Sequence, residues 1–283
     1  MFPRSFIIIS FSILLFNLPA QAQVIESSAE REKMFVFEVK HIDEFMERFN
    51  FEQNSLIISY VKMNYPGVRI DKGSLVTNLF NRQNKNWIKS DVDSFFNQVI
   101  SPAHPVELDF YSNRWYAEAV CVFMYKGKPA EVILVLRIQQ VANGGAKWVI
   151  TGAHSRALPI LKTPAVSLTD KPGFKFLNPM SHATNFMSLS GALSDKSNIR
   201  DYLDSGFFDY PASLAFINAL LKNQLQYNYV KKITYHFLQV DGWIFTVNNF
   251  NRKSVNSGWL ISRLQRATEQ EKIAYRNLLL YKN

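Results

Sequence analysis

Between Ile42 and Phe51, apolar residues recur at Ile42, Phe45, Met46 and Phe49, the spacing that lines one face of a helix. A second helix is predicted over Leu56–Met63, ending at Tyr65-Pro66-Gly67. Asp71 and Ser74 are candidate caps for a short helix through Phe80. Ser90, followed by Asp91 and Asp93, predicts another whose Val92, Phe95, Phe96 and Val99 face inward. From Glu107 the period becomes two. Strands are predicted over Glu107–Tyr111, Trp115–Lys126, Ala130–Val141 and Ala146–His154, with turns at Gly127-Lys128 and Asn143-Gly144.

A two-residue turn at Gly127-Lys128 sets a register. It puts Ala117, Ala119, Cys121 and Phe123 on one face, opposite Ile138, Leu136, Leu134 and Val132. That face carries no charge and is the expected core face beneath the helices. The other face pairs Tyr116 with Gln139, Glu118 with Arg137, Val120 with Val135 and Val122 with Ile133. The Asn-Gly turn adds Trp148 and Ile150 to it. So apolar a surface, broken by one charge pair, is expected to be covered, either by the second half of the chain or by a second copy.

Pro159, Pro164, Pro172 and Pro179 punctuate a linker over 156–180, separating a first domain (23–155) from a second (181–283). Helices are predicted near Ala183–Leu193 and Ile199–Leu203, and from Pro211 to about Tyr227. Strands follow at Val230–Val240, Trp243–Phe250 and Val255–Leu264, and a closing helix at Glu269–Tyr281. The fold class is therefore α+β, with helices packed on a curved antiparallel meander and the order of elements repeated in two halves.

At the N-terminus, Arg4 precedes an apolar run from Phe6 to Phe16, Pro19 breaks it, and Ala20-Gln21-Ala22 is a small-x-small cleavage motif. Residues 1–22 read as a signal peptide, too short in its apolar part for the roughly 20 residues of a bilayer-spanning helix. The mature chain is expected in the periplasm or outside the cell, with no transmembrane helix. Its single cysteine, Cys121, allows no intramolecular disulfide, and buried among Ala119, Phe123 and Leu134 it is expected to be unreactive. With 32 Lys+Arg against 23 Asp+Glu the formal charge is +9, but the excess is scattered, unlike the clustered charge of a nucleic-acid reader.

Helices followed by a meander whose late strand reads Lys147-Trp148-Val149-Ile150-Thr151-Gly152 resemble the NTF2-like (cystatin-related) α+β cone. The resemblance covers about Ile42 to His154 and, less closely, Ala183 to the C-terminus. It implies a cone whose mouth holds a small ligand and whose outer sheet face often makes dimers. Secreted bacterial members are frequently ligand-binding proteins or proteins of unknown role.

Motifs for chemistry are sparse. Ser59-Tyr60-Val61-Lys62 matches S-x-x-K, but the companion runs are Ser90-Asp91-Val92 and Lys162-Thr163-Pro164, which break the other two motifs of penicillin-recognising enzymes. His41, His104, His154, His182 and His236 share no metal-ligand spacing, and Asn143-Gly144-Gly145 joins two strands rather than opening a phosphate-binding helix. No catalytic residue, metal or cofactor is assigned. Two constellations are candidate binding residues: Glu118 opposite Arg137, flanked by Tyr116 and Trp148, and His236 near Trp243 and Phe245. The leading expectation is an exported, non-catalytic module that binds a small molecule or a protein. It would be a monomer with an internal pseudo-dimer, or a homodimer. The alternatives are an isomerase or hydrolase using His236, or Glu118 with Tyr116, as acid/base, and a structural envelope or surface-assembly subunit.

Overall fold

A computed structural model of the chain describes residues 37–141, 144–159, 174–254 and 256–281. The expected signal peptide and the middle of the linker lie outside them. Four helices come first: α1 (Ile42–Asn50), α2 (Leu56–Asn64), α3 (Lys72–Asn78) and α4 (Lys89–Ile100). A meander of β1 (Trp115–Tyr125), β2 (Lys128–Gln140) and β3 (Ala146–His154) follows. After it come short 3₁₀ turns, α5 (Leu189–Ser194) and α6 (Pro211–Leu221), then β4 (Leu225–Phe237), β5 (Trp243–Phe250), β6 (Gly258–Arg266) and α7 (Glu269–Tyr281). The α+β class is as expected.

All six strands form one antiparallel sheet in the order β3-β2-β1-β4-β5-β6. The two meanders thus meet edge to edge through β1 and β4, from Trp115–Phe237 to Tyr125–Leu225, and the expected packing of one sheet face on the other is not what joins them. A repeat of one unit in two halves is not shown. The joint explains a misread boundary. The apolar spacing of α6 runs on to Leu225, but Asn223 turns left-handed at φ +57° and ends the helix. Residues 225–229 are then free to extend the ladder against β1.

The first hairpin turns at Lys126-Gly127, both at positive φ, not at Gly127-Lys128. Partners therefore shift by two residues, so faces are preserved: Ala117, Ala119, Cys121 and Phe123 are all buried in the main core with Val132, Leu134 and Leu136. The second hairpin departs further. Gln140 pairs with Ala146 around a five-residue loop, which flips the parity of β3 and puts Trp148 and Ile150 on the core face. Glu107–Tyr111 forms no strand. The backbone N–H and C=O of Leu108 bond instead to the side-chain amide of Asn50 at 2.7 and 2.9 Å, which takes the place of a ladder. In α3, Asp71 and Ser74 form a capping box as predicted, whereas Ser90 lies inside α4 rather than capping it.

An aromatic row crosses the core face. Trp148 meets Trp115 edge-on at 5.2 Å, Trp115 stacks on its strand partner Phe237 at 5.5 Å, and Phe237 stacks on its partner Phe245 at 4.9 Å. Phe45 and Phe49 of α1 dock on that row. On the opposite face, α7 covers Tyr116 and Val135 with Leu279 and Leu280, while Val120 and Val122 remain half-buried. The cover comes from the second half of the chain, as expected, but from this helix rather than from the second meander.

Both sheet edges are closed by the chain itself. Leu177 and Leu203 bridge to β3, and Val39 and Phe80 bridge to β6, which blunts edges that would otherwise pair with other chains. Gly258 makes the Val39 contact possible. It has φ +81°, and a Cβ there would lie 2.0 Å from the Val39 carbonyl oxygen. Gly258→Ala is therefore expected to lose at least the roughly 1–2 kcal/mol of a strained left-handed residue, and more as the Val39 segment is displaced. Urea unfolding checks this; a change below about 0.5 kcal/mol would show that the edge gives way freely.

Cys121 is fully buried and burial pushes its thiol up to about 12. Native protein is expected to react with a thiol reagent only as fast as it unfolds. An unfolded thiol ionises near about 8.5. The folded form thus holds its proton more tightly, and stability linked to this group is intact below that pH and falls as pH rises toward 12, by about 1.4 kcal/mol per unit. Comparing unfolding of the wild type and Cys121→Ala between pH 8 and 11 isolates this slope.

Candidate functional site

The five residues singled out from sequence do not assemble as expected. With the register shifted by two, Glu118 faces Val135, not Arg137. Arg137 reaches instead to Asp204, its Nε donating to Oδ2 at 2.7 Å, and so fastens the 3₁₀ region to β2. Trp148 lies on the other face, its indole N–H donating to the Pro179 carbonyl at 2.8 Å. Tyr116, Glu118 and His236 do come together, because Tyr116 and His236 are partners across β1 and β4. His236 stands opposite Thr246 rather than among the core aromatics, with Nδ1 2.7 Å from the Tyr275 hydroxyl and Nε2 3.8 Å from Glu118. Burial pushes the Tyr275 phenol up to about 12. This trio sits under α7 and ties that helix to the sheet.

Beside it a chain of side-chain hydrogen bonds crosses three strands. Asn248 Nδ2 donates to Thr234 Oγ1 at 2.7 Å, Ser262 Oγ donates to Asn248 Oδ1 at 2.7 Å, and Thr246 and Ser262 hydroxyls meet at 2.9 Å. It pins Thr234–Asn248, the last pair of the β4–β5 ladder. Beyond that pair the strands part. β4 carries two bulges against β1, at Lys231 and Asn228, which bend it toward β1, while β5 stays paired with β6 as far as Phe250–Gly258.

The wedge so opened is a cleft of about 470 Å³. Ile233 and Lys232 line it from β4, Asn249 and Asn251 from the end of β5, and Asn185 from the opposite rim, with Trp259 and the Glu38 carboxylate among its walls. Lys231 also borders it, but its ammonium pairs with Glu131 at 2.6 Å. Asn185 is held in an unusual backbone. It and Phe186 are successive non-glycine residues at φ +49° and +57°; asparagine takes this conformation readily as a helix cap, whereas for Phe186 it costs on the order of 1 kcal/mol or more. The fully buried Phe186 ring, edge-on to Trp148 at 5.0 Å, locks that turn and with it the placement of Asn185.

Behind Trp259 lies a buried polar cluster. The Tyr235 ring packs on Trp259 at 4.8 Å, and its fully buried hydroxyl has no hydrogen-bond partner among the described residues. Burial, and then the Asp43 carboxylate, push that phenol far above its usual range. His182 donates from Nδ1 to the Pro179 carbonyl at 2.8 Å, with Nε2 3.6 Å from Asp43 Oδ1. Burial works to raise the Asp43 carboxyl, but His182 and the Glu44 N–H together hold it below the usual carboxylate value. Among the described residues no group of three or more potential ligands could hold a metal ion.

No protein-family model, curated protein or solved structure matches this chain. The NTF2-like resemblance therefore rests on element order alone.

Trp259, Asn251, Asn185, Asn249 and Lys232 belong to no motif that singles them out in the sequence. The run Asn248-Asn249-Phe250-Asn251 was the available signal, since amides are poor strand formers. An unpaired buried hydroxyl costs roughly 1–3 kcal/mol. Tyr235→Phe is accordingly expected to leave stability unchanged or raise it by about 1 kcal/mol. Chemical denaturation measures it, and a loss of more than about 1 kcal/mol would mean that the hydroxyl is satisfied in solution.

Proposed function

We propose that this protein is an exported, non-catalytic binding module, and that its ligand is a small polyhydroxylated molecule of sugar size seated in the β4–β5 cleft. One observation carries the reading: the strands part after Thr234–Asn248 and leave a cavity walled by three side-chain amides, two lysines, the Glu38 carboxylate and an indole. Each amide offers both donors and an acceptor, which suits vicinal hydroxyls, and the volume falls within the roughly 300–1,000 Å³ of small-molecule sites. None of these amides titrates or attacks as a nucleophile, which suits them to holding a ligand, and Glu38 is the one carboxylate in the lining. The exposed edge of β4 is also poorly suited to a guest strand, because bulges and Lys231 with Lys232 are devices that discourage edge pairing. Export rests on residues 1–22 of the sequence, and places the ligand outside the cytoplasm.

Calorimetry of the mature protein against a panel of mono- and disaccharides tests the reading. At least one sugar is expected to bind saturably, with Asn249→Ala and Asn251→Ala each weakening it about tenfold, or about 1.4 kcal/mol. Asn185→Gly separates site from scaffold. Glycine adopts the left-handed conformation as asparagine does, so the variant is expected to keep its stability to within about 0.5 kcal/mol while binding the sugar less tightly. Absence of binding across the panel, or binding indifferent to all three variants, would overturn the assignment.

A further inference from the structure

A second cavity lies between the C-terminal end of α3, the segment 79–88 and the first turns of α4, and shares no lining residue with the cleft. Its volume is about 420 Å³. Its walls are mainly apolar: Phe80, Trp87, Val92 and Phe96. Trp87 meets Phe80 edge-on at 5.6 Å, and its indole N–H is already spent on the Asn81 carbonyl at 2.9 Å, so the ring offers the cavity only carbon.

The segment that shapes this cavity is held firmly. Asn256 Nδ2 donates to the carbonyls of Asn78 and Phe80 at 2.8 and 3.0 Å, and its Oδ1 accepts from the Arg82 N–H at 3.1 Å. Arg252 reaches Asn81 Oδ1 at 3.0 Å and Gln83 Oε1 at 2.8 Å. Main-chain bonds from Ile261 N–H to the Leu79 carbonyl and from Asn81 N–H to the Ile261 carbonyl fix it to β6. A pocket built by so many bonds is formed before any ligand arrives, which lowers the entropic cost of filling it.

Its polar rim holds Arg82 and Lys89 with the single carboxylate of Asp93, leaving a net positive charge. Lys89 pairs with Asp93 at 2.7 Å, an exposed contact of little strength. Arg82 differs. Its Nη2 donates to the neutral Asn78 Oδ1 at 2.6 Å, and it makes no ion pair among the described residues. An exposed guanidinium without a carboxylate, beside an aromatic cavity, matches a molecule with an anionic head and an apolar tail.

We infer that this cavity binds a free amphiphilic carboxylate, an aryl or medium-chain aliphatic acid, with its tail against Phe80, Trp87 and Phe96 and its head on Arg82. The site is independent of the sugar cleft. The test uses the mature protein with decanoate, decanol and decyltrimethylammonium, each below its aggregation limit, read by calorimetry and by tryptophan fluorescence. Decanoate is expected to bind at one site per chain, at least tenfold more tightly than decanol, with the ammonium weakest. Arg82→Glu changes an exposed side chain and is expected to fold normally; it should cut decanoate affinity tenfold or more and leave decanol unchanged. Val92→Trp fills the cavity and should abolish binding of both; Trp87→Phe should keep binding but remove the fluorescence change. Equal affinity for the three probes, indifference to Arg82→Glu, or no saturable binding would overturn the proposal. Binding to phosphatidylcholine–phosphatidylglycerol vesicles without binding of monomeric decanoate would also overturn it, in favour of a membrane surface.

Discussion

The pairing of β1 with β4 is the interaction on which everything else rests. Among the described residues it is the one ladder that joins the first meander to the second, and it runs the whole length of β1. Through it Trp115 and Phe237 become stacked neighbours, and the aromatic row under α1 gains its centre. The same pairing sets Tyr116 beside His236, which gives α7 its polar anchor through Tyr275. Its two bulges also bend β4 away from β5. Core, helix docking and cleft are thus consequences of one seam.

Sequence periodicity recovers the elements of this molecule better than their joints. The helix faces of Ile42–Asn50 and Lys89–Ile100, the strands Ala146–His154 and Trp243–Phe250, and the closing helix all follow from spacing, because burial of one face dictates it. Cys121 and its inward neighbours were legible for the same reason. A slip of two residues in the first hairpin changes every partner but no face. The second loop is different. Five residues instead of two invert the parity, and Trp148 exchanges the outer surface for the core. No composition rule separates a two-residue from a five-residue loop at Asn143-Gly144, so the aromatic row was legible only in part.

The cleft was illegible for a deeper reason. It arises where a ladder stops, at bulges and a pinned last pair, and its far rim is set by a left-handed turn some 50 residues away in sequence at Asn185. Each is a long-range matter. Polar residues that read locally as strand end or turn acquire a common purpose only when the strands diverge. Arg137 shows the same limit. Its cross-strand neighbour looked like Glu118, yet its charge is met by Asp204, a residue beyond the linker that no period of the strand could announce.

The seam between β1 and β4 also has a consequence in time. Tyr125 and Leu225 are paired neighbours although 100 residues of chain separate them. As the polypeptide emerges N-terminus first, β1 can find β2 at once through a tight turn, but its other edge stays open until β4 has been made. Contacts so distant in sequence are slow to form, because the loop must close before any of them contributes stability. For that interval the nascent first meander presents a bare, strongly hydrophobic edge to its surroundings. A chain built this way gains most from a partner that shields the β1 edge during synthesis, and it is most exposed to aggregation when growth stalls between the third and fourth strands.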